Sequence, residues 1–391
     1  MNWRWTLSIV TAMLSGCATA PGPTGDNSAR AGAPRGTGGD SVGGSSASTP
    51  NNGNGAAPGS STSAGAVSSS TVGSSAAADG GPVYSDAPAG SLTDSGPPPK
   101  ASVSQSFTLT ADTFTVAPGD EVYKCQTFPN PFGQDVDLIY MDGMMSQGSH
   151  HFFLFNLDPT TVQGRIAVGG ANETPPTPLN DCLGNGLEFH PFPYLSQQPH
   201  WIVSYPRPDM GYPLSAQNAL MINVHFLNSG STPIQAAAKV TLTSAAAGVV
   251  TTHIGTIFLN NTVFAVAPTP ASSPQPYAKS WTPLPGALPS SYSIFTSWSH
   301  MHRTAVDFQA SVNGNVFYEE RNWDSPPLFV HSPAMTMNGS DAITWSCSYY
   351  NDTNNTLTFG DSAVNNVMCI YMGQYYPVVD PTNPDLVEVL Q

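Results

Sequence analysis

The chain is predicted to be all-β: two tandem jelly-roll-type antiparallel β-sandwich domains after a disordered N-terminal tether. Three observations predict this. Its foldable part is written in short runs of β-branched and aromatic residues, such as His151-Phe-Phe-Leu-Phe155 and Ala219-Leu-Met-Ile-Asn-Val-His-Phe226, which suit a pleated surface. Turn clusters such as Pro118-Gly-Asp120 and Asn228-Ser-Gly-Ser231 separate the runs. No convincing amphipathic helix interrupts them, and many short strands with Pro and Gly punctuation read as sandwiches or jelly rolls.

Residues 1–17 have a short polar start, an apolar run from Trp5 to Leu14, and then Leu14-Ser15-Gly16-Cys17. This is the shape of a secretory signal that ends like a bacterial lipobox, so Cys17 is the expected lipidation site. Ala18 follows it instead of Asp, which in Gram-negative lipoproteins argues against retention in the inner membrane. The expected location is therefore the cell envelope, at the outer membrane, held by lipid alone. No other apolar run approaches the ~20 residues needed to span a bilayer.

Residues 18–100 are Gly, Ser, Ala, Pro, Thr and Asn with few large apolar side chains. Such a segment buries too little surface to offset its ordering entropy and reads as a flexible linker. Charged residues make up 9% of the chain and the formal net charge is −15. Cations are thus too sparse to track phosphates, which excludes nucleic acid as an expected partner.

In the remainder, strands are expected at Ser106–Thr110, Val136–Tyr140, His151–Phe155, Ala219–Phe226 and Ala238–Thr243. Further strands are expected at Ile294–Trp298, Val306–Val312, Ala342–Ser346 and Val367–Met372. A Pro-rich stretch over residues 267–289 separates the two groups. It sets an N-terminal domain at 101–266, a C-terminal domain at 267–383 and a tail at 384–391. With Cys17 lipidated, Cys125, Cys182, Cys347 and Cys369 remain, an even number that suits two disulfides in an exported chain. Three pairings are open, and pairing within each half is the simplest if the halves are separate domains.

Six side chains have the character of metal ligands: His150, His151, His225, His300, His302 and Met368. His300 and His302 are two apart, so on a strand both imidazoles reach one side. His150 and His151 are adjacent and reach one ion only if the backbone bulges, which Gly148 and Ser149 permit. A lone strand histidine such as His225 is more often a hydrogen-bonded structural residue, and a buried Met more often fills a gap; these two rest on the company they keep. His190, His200, His253 and His331 lack a metal-like setting. Together the six give one all-imidazole set and one set of two imidazoles and a thioether. Imidazole suits copper, and a thioether favours Cu(I). No catalytic triad, phosphate loop or HExxH motif is present.

The order His-His, His, His-x-His, Met-Cys resembles the copper type II, ascorbate-dependent monooxygenases, the family of peptidylglycine α-hydroxylating and dopamine β-monooxygenases. The resemblance spans about residues 105–380 and includes Ser149-His-His-Phe-Phe-Leu-Phe155, Val224-His-Phe-Leu-Asn228, Ser299-His-Met-His302 and Val367-Met-Cys-Ile-Tyr-Met-Gly-Gln-Tyr-Tyr-Pro377. It implies two jelly-roll sandwiches facing each other across a wet cleft, with two coppers per chain. An electron-transfer copper would sit on His150, His151 and His225, and an oxygen-binding copper on His300, His302 and Met368, the last three then being the catalytic residues. It also implies a Cys347–Cys369 disulfide. The implied reaction is hydroxylation of a C–H bond of a small-molecule or peptide substrate, using O2 and electrons from ascorbate or another one-electron reductant.

The chain departs from the peptide-acting members. Trp298 stands where they carry a carboxylate-gripping Arg, and Ile370 and Met372 replace their substrate-site Asn and Tyr. A C-terminal glycine peptide is therefore not the expected substrate, and a more apolar or aromatic pocket is. Two other readings compete: a non-catalytic envelope protein that binds or stores copper, and a stalked β-sandwich binding module with incidental histidines.

Overall fold

The runs pair into two sandwiches, and strand alternation decides which of their faces meet. The computed structural model describes residues 90–91, 102–158, 160, 175–182, 192–270, 272, 275–284 and 286–390. The expected signal peptide with Cys17 and most of the expected linker lie outside these residues. Among the described residues there is no α-helix, and none that is long and apolar enough to cross a membrane.

The first sandwich joins a seven-stranded sheet to a five-stranded one. The seven-stranded sheet is built around Val136–Met145, His200–Ser204, Met210–Leu214 and Ala238–Ala245, and the five-stranded sheet around Glu121–Pro129, Ser149–Leu157 and Ala219–Leu227. Leu138, Met141, Phe152, Leu154, Leu220, Ile222, Val224, Phe226 and Val240 form the core between them. The second sandwich pairs a five-stranded sheet, centred on Ser291–Met301 and Cys369–Tyr376, with a four-stranded one. Ile257, Ile294, Phe308, Trp345, Tyr349 and Tyr371 fill it. The halves are thus all-β sandwiches, as the composition predicts.

Each five-stranded sheet buries its outer face as well. With successive side chains pointing to opposite faces, Phe152 and Leu154 enter the first core while Phe155 faces away from it, and Ile222 and Val224 enter while Met221 faces away. In the second half Tyr371 faces its core, and Ile370 and Met372 face away. The outward set meets in a third apolar layer of Phe155, Leu157, Met221, Phe258, Trp298, Met368, Ile370 and Met372. Each large side chain buried there contributes about 1.5–3 kcal/mol. This is why the Ala219–Leu227 and Cys369–Tyr376 strands are buried almost continuously, as expected of strands covered on both faces. Where a wet cleft is expected from the resemblance, the two sheets therefore meet across an apolar layer.

Three further details differ from the expected layout. The chain changes sandwich between Thr252–His253, which pairs with Met210–Leu214, and Gly255–Asn261, which joins the second half. The Pro-rich stretch thus falls after the crossover, inside the second half. Within the expected tail, Leu386–Leu390 forms a strand parallel to Gly255–Asn261. Within the expected linker, Gly90–Ser91 pairs with Trp201 and Ile202.

Two disulfides, Cys125–Cys182 and Cys347–Cys369, each stay within one half. The second closes a segment with a sequence separation of 22 residues and secures the strand that follows Met368. Replacing both Cys347 and Cys369 by Ser is expected to cost about 3 kcal/mol by loop-closure entropy, measured by urea unfolding.

Asp385 ties the halves together. Its Oδ2 accepts from the Phe192 N–H at 3.0 Å and the Tyr212 hydroxyl at 2.9 Å, and its Oδ1 from the Thr256 N–H at 2.7 Å. Burial raises its pKa, the three hydrogen bonds oppose that, and the outcome is about 7 against an ordinary 3.8. A raised carboxyl pKa favours folding fully below the unfolded value and loses that contribution as pH climbs through the folded value. Stability is expected to fall by roughly 3–4 kcal/mol between pH 4 and pH 8 from this group, and Asp385→Asn is expected to remove that slope in urea titrations at the two pH values.

Candidate metal centre

The outward faces of the two five-stranded sheets carry the expected ligands to one place. His151 lies opposite His225 across the paired strands. Phe226 then lies opposite Ser149, so the register skips His150. This is a β-bulge at the residue where the adjacent pair requires one, and Gly148 just before it adopts a φ of 88°. The bulge turns both rings of the pair to one side. From the second half, His300 follows Trp298 by two residues on the same face, and His302 lies just past the strand end.

Five of the six expected ligands come together here. Ring centres stand 5.5 Å apart for His150 and His151, 5.1 Å for His150 and His225, 5.0 Å for His151 and His225, and 5.3 Å for His300 and His302. Met368 is placed in the adjoining apolar layer, two residues past Asn366, whose carbonyl accepts from His302. All five rings are buried, none more than 5% exposed.

Four of the rings are held by an acceptor on one nitrogen. His150 Nδ1–H donates to the Asp324 carbonyl at 3.1 Å, and His302 Nδ1–H to the Asn366 carbonyl at 3.3 Å. His300 Nδ1–H donates to Gln197 Oε1 at 2.7 Å, and the Gln197 amide is itself oriented by its bond to the Ser299 carbonyl. His225 Nε2–H donates to Glu121 Oε1 at 3.0 Å. Such acceptors fix the tautomer and leave the opposite nitrogen as a lone pair.

On three of these four rings the opposite nitrogen is buried without a partner. His150 Nε2, His225 Nδ1 and His302 Nε2, together with His151 Nδ1, are buried without a hydrogen bond. Burial pushes the pKa of all five histidines down. Neighbouring imidazoles add to the effect at His150, His151 and His300, while Glu121 opposes it at His225. His302 falls to about 3. The rings are thus neutral, and four of their nitrogens are buried without a partner, an arrangement that costs about 1–3 kcal/mol per group.

Glu121 organises the edge of this cluster. Burial would raise its pKa, but hydrogen bonds from His225, Ser362 Oγ at 2.7 Å and the Ala363 N–H at 2.7 Å hold it at about 2. The pair is a neutral imidazole donating to an ionised carboxylate. Tyr123 stacks on His225 with ring centres 3.8 Å apart and donates its hydroxyl to the Asp361 carbonyl at 2.6 Å. Glu121, Gln197 and the Asp324 and Asn366 carbonyls were not legible as site residues in the sequence, because acceptors that anchor a ligand carry no spacing signal.

The other histidines have other partners. His200 Nε2 bonds Asp142 Oδ1 at 2.9 Å, His253 Nε2 bonds Asp137 Oδ1 at 3.0 Å, and His331 Nε2 lies 2.8 Å from Ser297 Oγ. His190 lies outside the described residues. Trp298 is buried in the apolar layer, with its Nε1 unpartnered, and lines two small cavities of about 20 and 10 Å³.

Whether these residues fit a metal ion is decided by donors and spacing. Two imidazoles bonded to one ion at about 2.0–2.1 Å in roughly tetrahedral geometry stand about 5 Å apart, centre to centre, and the rings here have that spacing. Among the described residues, no three His, Cys, Asp or Glu donors are already gathered around a point an ion could occupy. The ring centres have this spacing, while the nitrogen atoms do not converge on one point. Imidazole donors with unpartnered nitrogens suit a first-row transition ion such as zinc or copper.

No known family model matches the chain, and no curated protein does. Among solved structures it is similar to the major capsid protein P2 of bacteriophage PM2, at 9% identity over 69% of this chain and 97% of that one, with a TM-score of 0.27. It is similar to PNGF-II at 9% identity over 75% and 65%, with a TM-score of 0.20. A third likeness is to VP2 of the infectious bursal disease virus subviral particle, at 9% identity over 74% and 85%, with a TM-score of 0.14. At such scores these likenesses carry no argument about function.

Removing the Glu121 carboxylate strands His225 Nε2–H, the Ser362 hydroxyl and the Ala363 N–H. Glu121→Ala is expected to cost at least about 2 kcal/mol in urea unfolding.

Proposed function

We propose that this chain is a copper-dependent monooxygenase of the kind its ligand order resembles. It hydroxylates a substrate C–H bond with O2 and two electrons from ascorbate or another external one-electron reductant. The observation that carries this reading is the set of four buried imidazole nitrogens without partners, three of them on rings whose other nitrogen is anchored to an acceptor. Structural histidines satisfy both nitrogens or expose one; these do neither. When bound, copper supplies one-electron storage and activation of O2.

The rest is done by the chain. His150, His151 and His225 would hold one ion, and His300 and His302 with Met368 the other. Glu121, Gln197 and the Asp324 and Asn366 carbonyls keep His225, His300, His150 and His302 in the tautomer that offers a lone pair. The apolar layer of Phe155, Phe258, Trp298 and Met372 excludes water beside the cluster. Trp298 in that layer is in keeping with an apolar or aromatic substrate. In the same reading the chain is exported and held at the envelope through lipid on Cys17.

A second reading, non-catalytic copper binding or storage, is favoured by one observation: no ring in the cluster is more than 5% exposed, which suits a guarded ion as well as a reactive one.

Purified protein loaded with copper and freed of loose metal is expected to retain two coppers per chain, falling to about one in a Met368→Ala, His302→Ala double variant. Oxygen consumption with ascorbate that requires His302 separates the enzyme from the store. No retained copper contradicts both readings and leaves the stalked binding module.

A further inference from the structure

Two of the distances between halves are as short as those within them, while His150 and His302 stand 6.4 Å apart. His150 of the first half stands 5.2 Å from His300 of the second, and His151 stands 5.3 Å from the same ring. These separations fall inside the 5.0–5.5 Å range found among His150, His151 and His225. His300 is therefore as near to His150 and His151 as the members of the first ligand set are to one another.

The anchoring also crosses between halves. His150, from the first half, is held by the Asp324 carbonyl of the second. His300, from the second half, is held by Gln197 of the first. Glu121, from the first half, holds His225 and is itself held by Ser362 and Ala363 of the second. Ser325 closes the ring of contacts by donating its hydroxyl to the Gln197 carbonyl at 3.0 Å while accepting from Gln198 Nε2 at 2.8 Å. Each half thus orients a ligand of the other.

We infer that the two ligand sets form one interdomain metal centre, in which an ion held by His150 and His151 is also governed by His300, in place of two independent sites. This inference rests on the copper reading above and deepens it. Two sites separated by solvent would tolerate loss of a ligand in one without a change in the other. A shared centre does not, because His300 borders both ligand sets and its anchor, Gln197, belongs to the opposite half.

The test uses the full chain and Cu(II) alone. The Met368→Ala, His302→Ala double variant supplies a background holding only the copper of His150, His151 and His225. His300→Gln is then added to it, and the copper is followed by electron paramagnetic resonance and calorimetry. A shared centre predicts altered g and hyperfine values and at least a 10-fold loss of affinity. An unchanged spectrum and affinity overturn the inference while leaving the copper reading standing. A wild type that binds no Cu(II) overturns both. If His300→Gln fails to unfold cooperatively in the metal-free state, Gln197→Leu replaces it in the same background: His300 stays, only its cross-half anchor is lost, and the same two outcomes decide.

Discussion

Burying five neutral imidazoles in one place is the constraint on which the rest of the structure depends. Each ring brings two polar nitrogens into a buried region, and an unpaired one costs about 1–3 kcal/mol. The chain answers for one nitrogen on four of the rings with acceptors drawn from both sandwiches: Glu121, Gln197 and the Asp324 and Asn366 carbonyls. It leaves His150 Nε2, His151 Nδ1, His225 Nδ1 and His302 Nε2 without partners. Docking of the sandwiches is therefore tied to the cluster, since each half supplies part of the other's hydrogen bonding.

The apolar layer and the polar cluster are two parts of one face. On the Ala219–Leu227 strand, Met221 joins the layer, Asn223 bonds both sulfurs of the first disulfide, and His225 joins the cluster. On the Ser291–Met301 strand, Trp298 and His300 make the same division. Packing supplies the free energy that holds the sheets together, and the histidines use the position this gives them. Asp385 closes the interface as a further polar tie, bonded to Phe192, Tyr212 and Thr256.

The sequence made the fold class readable because strand alternation and turn chemistry are local. It also made the bulge at His150 readable, since adjacent histidines can share a ligand only across one and Gly148 permits it. Pairing of cysteines within halves was legible as the simplest choice. What was not legible depends on contacts distant in sequence. The crossover at Thr252 to Gly255, the strand at Leu386–Leu390 and the pairing of Gly90–Ser91 are set by which edge each segment finds. The meeting of the two ligand sets was hidden for the same reason, because a wet cleft and an apolar contact between sheets need the same alternating strands.

The most direct test of the metal centre is K-edge X-ray absorption on the copper-loaded protein. The account predicts a first shell dominated by imidazole nitrogen, with the multiple scattering of intact rings and on average at least two imidazoles per copper. A shell of oxygen donors without imidazole scattering, or copper lost on dialysis before the spectrum is taken, would contradict it.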